Sequence, residues 1–183
     1  MLYSALMKSH LFVLLLFCGL TLAPSASAGD CVRAEPEPAF SSAQAGVLKH
    51  RFVARSGQEA DENLTLANGE TVHIRHGGCE YVVTELRIRG IHLFSGVVTP
   101  SAAYAKAAQL LRRLHRLADR SGFDLALAAH TLDAAGQRNV PYGESVAVEG
   151  DGVEFLQARV QLDSAGRKGK REFLHVSLIR GPL

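Results

Sequence analysis

An α+β domain is predicted: an antiparallel β-meander, one clear helix with a second helical segment after it, then further antiparallel strands, the helices packed on one face of the sheet. Three observations predict it. Short β-prone runs with alternating polarity are separated by turn dipeptides such as Asn68-Gly69. One long stripe of apolar residues follows at helical spacing, opened by Thr99-Pro100. Alternating strands then return to the C-terminus, and no repeat or linker divides the chain.

The chain has 183 residues. Residues 1–28 have the order of a secretory leader: a positive charge at Lys8, the apolar run Leu11 to Cys18, and small residues at Ala26-Ser27-Ala28. From Leu11 to Leu22 this run falls short of the ~20 apolar residues needed to span a bilayer. Cleavage after Ala28 is therefore expected, with no transmembrane span once the signal is removed. Residues 29–46, with Pro36 and Pro38, read as an extended lead-in. Residues 47–183 form the single domain.

Val47 to Arg55 alternates loosely as a first strand, and Ser56 to Glu62 reads as a polar break. Leu64-Thr65-Leu66 and Thr71 to Arg75 flank Asn68-Gly69, which predicts a type I′ hairpin because both central residues of that turn need positive φ. His76-Gly77-Gly78 is a second turn, leading into Tyr81 to Arg89. There Val82, Thr84, Leu86 and Ile88 share one face, and Glu85, Arg87 and Arg89 the other.

The helix stripe runs through Ala103, Ala107, Leu110, Leu111, Leu114, Leu117 and Ala118, with Gly122 as the stop. Arg112, Arg113, Arg116 and Arg120 fall opposite and read as a solvated face. Asp124 to Ala135 reads as the second helix, with Leu125, Ala128, Ala129 and Leu132 on one side. Ser145 to Glu149 and Val153 to Leu162 meet across Gly150-Asp151-Gly152, and Arg171 to Arg180 follows a long polar turn.

Removing the leader leaves 19 Lys and Arg against 18 Asp and Glu, a balance too close to neutral to argue for nucleic acid or an acidic membrane surface as the main partner. It also removes Cys18, leaving Cys31 and Cys79 as an even pair. In an oxidising compartment these are expected to form a disulfide. Asp30 before Cys31 argues against lipid attachment there. Abundant Ala, Gly and Arg point to a bacterial source, hence a periplasmic location.

The densest polar cluster is His73-Ile74-Arg75-His76-Gly77-Gly78-Cys79-Glu80. Imidazoles suit zinc or copper, which makes His73 and His76 candidate ligands, although an extended strand would send them to opposite faces. The competing reading is a hairpin turn with solvent-facing histidines, needing no cofactor. Arg167, Lys168, Lys170 and Arg171 crowd a second turn and could touch an acidic partner, such as the phosphates of an envelope glycolipid. The near-neutral net charge favours the simpler reading of a charged turn that keeps adjacent strands soluble and blunts edge pairing. Catalytic residues are unknown: no Gly-x-Ser-x-Gly elbow, His-Glu-x-x-His pair or phosphate-cradling glycine loop occurs.

These features lean away from an enzyme. The expectation is an exported binding domain for an envelope protein or an anionic envelope component. A metal-binding periplasmic protein using His73 and His76 is the first alternative, and a hydrolase with a site assembled across strands is the second.

Overall fold

The structure is a computed structural model that describes residues 34–120, 122–150 and 156–182. The expected leader and Cys31 lie outside the described residues. The elements are β1 (Val47–Ser56), β2 (Glu59–Leu66), β3 (Thr71–Gly77), β4 (Val82–Gly90), α1 (Pro100–Leu117), α2 (Leu125–Gln137), β5 (Ser145–Ala147), β6 (Leu156–Lys168) and β7 (Arg171–Pro182). All seven strands join one antiparallel sheet in the order β1-β2-β3-β4-β7-β6-β5. The helix pair is inserted between the two meanders, and β4 pairs with β7 to close them into one sheet. The α+β fold follows, with the helices against one face of the sheet.

Alternation within strands decides which face is inner. Leu64 and Leu66 on β2, Val72 and Ile74 on β3, Leu86 and Ile88 on β4, and Leu174, Val176 and Leu178 on β7 are buried. They meet the helix stripe of Ala103, Ala107, Leu110, Leu111 and Leu114. Each such aliphatic side chain contributes about 1.5–3 kcal/mol relative to exposure, which is why period-2 strands and a period-3.6 helix select the same interior.

Thr99 caps α1 by accepting from Ala102 N at 3.2 Å, and Pro100 starts the helix where a missing N–H costs nothing. The helix ends at Leu117, ahead of Gly122. Asp124 caps α2, accepting from Ala126 N and Leu127 N at 3.0 and 2.9 Å. The helices meet where Gly136 packs on Tyr104, so close that a Cβ on Gly136 would stand 2.7 Å from the Tyr104 Cβ.

Four local expectations are corrected. Ser56 to Glu62 is no break: only Gly57 and Gln58 separate β1 from β2, and Glu59 to Asn63 are strand. The polar residues before Arg171 likewise belong to β6, which runs to Lys168 and turns through Gly169 (φ 63°) and Lys170. The Asn68-Gly69 hairpin exists, but only Gly69 has positive φ, so the turn is not type I′. Asn68 instead accepts from Glu70 N at 3.3 Å, which holds a longer loop. The arginines of α1 are also not simply solvated. Arg112 pairs with Asp133 of α2 and Arg113 with Glu70, tying the helix to its surroundings.

A candidate anion-binding face

Two polar clusters use the two faces of the sheet. The inner one centres on Glu62, whose side chain is fully buried. Its Oε1 accepts from Phe40 N at 3.0 Å and stands 2.8 Å from His50 Nε2. Its Oε2 accepts from Ala39 N at 3.1 Å and stands 3.2 Å from His76 Nε2. An ionised carboxylate only accepts, so both imidazoles present Nε2–H to it. Burial raises the Glu62 pKa, but the hydrogen bonds from His76, Ala39, His50 and Phe40 more than offset this and hold it below the ordinary value. The cluster fastens the lead-in to the sheet: Ala39 also accepts from Asp119 N at 2.9 Å.

His76 is thus buried, not solvent-facing as a turn histidine would be. The turn that follows it depends on Gly78, at φ 92°, where a Cβ would lie 1.8 Å from Tyr81 O. His73, three positions before His76 and so on the opposite side of β3, leaves by the outer face and stands 3.1 Å from Asp61 Oδ1. Asp61 also receives Arg55, and those partners lower its pKa despite the opposing effect of burial. His73 and His76 therefore bind different carboxylates on different faces. Among the described residues, no three His, Cys, Asp or Glu side chains are grouped to hold a metal ion.

The outer face carries the second cluster, on β4, β7 and β6. A bulge between Leu162 and Ser164 leaves Asp163 without a register partner and turns it toward β7. There Ser177 Oγ donates to Asp163 Oδ2 at 2.8 Å and Gln161 Nε2 to Oδ1 at 2.6 Å. His175 Nε2 stands 3.8 Å from both Glu85 and Asp163, and is a buried atom with no hydrogen-bond partner among the described residues.

Toward the β6–β7 turn this face becomes cationic. Strand register sets Arg87 beside His175, Arg89 beside Phe173, and Arg171 opposite Lys168. These six residues line a recess of about 470 Å³. Phe173 reaches over Gly166, where a Cβ would come within 3.0 Å of its ring. Arg87 donates to Glu85 at 3.0 Å, whereas Arg89, Lys168 and Arg171 have no acidic partner among the described residues.

The expected four-charge turn therefore divides. Lys168, Lys170 and Arg171 are exposed, but Arg167 Nε donates to Glu172 Oε1 at 3.0 Å. Glu172 is buried and also accepts from Phe94 N at 2.8 Å. Burial raises its pKa, and the Phe94 N–H and Arg167 more than offset that. Compared with protein-family models, curated proteins and solved structures, the chain matches none of them.

Sequence reasoning reached His73, His76, Lys168 and Arg171 but missed Glu62, His50, Arg87, Arg89 and Phe173 as members of clusters. Arg87 and Arg89 were readable as one polar face of β4. Only the β4–β7 register sets them against Phe173 and His175.

Proposed function

We propose that the chain acts, after export and removal of residues 1–28, as a non-enzymatic binding domain in the periplasm, and that its outer sheet face takes an anionic, phosphate-bearing envelope component. The observation that carries this reading is the recess in which Arg87, Arg89, Lys168 and Arg171 surround Phe173 without a matching set of carboxylates. Guanidinium groups present paired N–H donors to phosphate oxygens, and the aromatic ring offers a flat contact to the apolar part of the ligand. The near-neutral balance of the mature sequence makes such a local excess a matter of placement, not of overall charge.

The Cys31–Cys79 disulfide is part of the same proposal. Ala34 and Val82 line one recess, and each lies three positions beyond its cysteine. Three residues of extended chain span at most about 10 Å, a length that permits such a bond between the two segments. Cys79 itself is exposed in the β3–β4 turn.

Calorimetric titration with inorganic pyrophosphate tests the binding reading. Saturable binding is expected, and Arg89→Ala with Arg171→Ala should weaken it at least tenfold, since a charge-assisted hydrogen bond is worth about 1.5–3 kcal/mol. Arg112→Ala, on the α1–α2 pair, should leave it unchanged. Absence of saturable binding, or equal loss with Arg112→Ala, would remove the basis for the reading.

A further inference from the structure

We propose that the end of the sheet bearing the β6–β7 turn docks on an anionic lipid surface, with Ile91 and Val97 entering the headgroup layer while Arg89, Lys168, Lys170 and Arg171 meet the phosphates. This deepens the anion-binding reading and rests on it. Ile91 and Val97 are 65% and 85% exposed, although both are large aliphatic side chains. A single exposed aliphatic residue needs no explanation. Here two of them flank one loop, and that loop is fixed to the cationic turn.

The fixing contacts are specific. Gly90 is the last β4 residue and pairs with Glu172, so Ile91 leaves the sheet beside Arg171. Glu172 accepts from Phe94 N at 2.8 Å, and Arg167 Nη2 reaches Gly96 O at 3.5 Å, immediately before Val97. Leu93 and Phe94 are buried between these points. A Cβ on Gly90 would come within 3.0 Å of the Leu93 side chain, so that corner is closely packed. The loop therefore turns Leu93 and Phe94 inward and leaves Ile91 and Val97 outward.

Charge complementarity selects the occupant. Lys168, Lys170 and Arg171 are exposed next to the loop, and Arg89 lies on the same face. The carboxylates near the loop are already paired, Glu172 with Arg167, Glu70 with Arg113 and Asp133 with Arg112. Aliphatic tips beside a cluster of cations fit an interface where acyl chains begin just beneath anionic headgroups. An acidic protein would satisfy the cations but gives no reason for the aliphatic pair.

The test is co-sedimentation of the exported protein with vesicles of phosphatidylcholine plus phosphatidylglycerol, against phosphatidylcholine alone. Binding is expected only to the anionic vesicles, falling with added salt. Lys168→Ala with Arg171→Ala should lose about fivefold per charge. Ile91→Ser with Val97→Ser should lose vesicle binding about tenfold and retain pyrophosphate affinity. Both pairs are exposed, and unchanged melting curves would verify the fold. Pyrophosphate binding without vesicle binding would overturn the membrane inference and leave the anion reading standing. Failure of both would end both. Vesicle binding indifferent to Ile91→Ser and Val97→Ser would also overturn it, because the aliphatic tips would then play no part.

Discussion

Glu62 shows how much one buried carboxylate can organise when its partners come from three directions. Two lead-in N–H groups and two imidazoles satisfy it, and each of its oxygens takes one of each. Glu62→Gln turns one acceptor into a donor facing donors, and a buried mismatch of that kind costs about 1–3 kcal/mol. Urea denaturation should show such a loss for Glu62→Gln and for His76→Ala. His73→Ala should cost no more than about 1 kcal/mol, since its partner Asp61 keeps Arg55 and the imidazole is partly exposed. Equal effects of the two histidine substitutions would contradict the opposite-face placement. The acid response follows from the same groups. Asp61, Glu62 and Glu172 all have pKa values below their ordinary 3.8 and 4.5 when folded. Their contribution is therefore complete above about pH 5 and is lost as pH falls through those depressed values. The melting temperature should drop steeply in that acid range, and less steeply for Glu62→Gln.

Among the elements, the helix pair makes the sharpest demand on a single position. Alanine is a better helix former than glycine by about 1 kcal/mol, so propensity alone favours Gly136→Ala. The 2.7 Å approach to Tyr104 argues the other way, and overpacking of a tight contact costs about 1–3 kcal/mol. Net destabilisation is expected in thermal melts, and a raised melting temperature would show that α1 and α2 can separate freely. Elements such as β4 and α1 were legible in the sequence because their polarity follows one period from end to end. β2 was legible only from Leu64 onward. Its first half carries adjacent acids, Asp61 and Glu62, that leave by opposite faces and are both buried. A paired, buried carboxylate has the same hydropathy as an exposed one. What distinguishes Glu62 is His50 and His76, 12 and 14 positions away, and only strand register brings them to it. The polar half of β6 was missed for a related reason. Asp163 sits at a bulge, so the alternation that marks a strand is interrupted there.

At the scale of the whole molecule, the lead-in decides how the N-terminal end of the domain is closed. The backbone of Ala39 and Phe40 is held at Glu62, Glu37 pairs with Arg120 at 3.1 Å, and residues before them run along a recess with Val82 and Thr84. These contacts fix one end of the lead-in without covalent help. A Cys31–Cys79 bond would add a restraint on the unfolded chain across 48 positions that include β1, β2 and β3. The chain-entropy model gives such a closure about 4 kcal/mol. For a domain of this size, each kcal/mol moves the melting temperature by about 2–4 °C. Reduction should therefore lower it by about 10 °C, with little change in the cooperativity of the transition, because the Glu62 contacts remain. Cys31→Ala, Cys79→Ala and the double variant should all match the reduced protein, since each removes the same single bond. Intact mass of the exported protein should match a chain beginning at Gly29 and lacking two hydrogens. Complete alkylation of both thiols without reductant would exclude the bond. A mass that retains Lys8 would instead mean that the leader is not removed after Ala28.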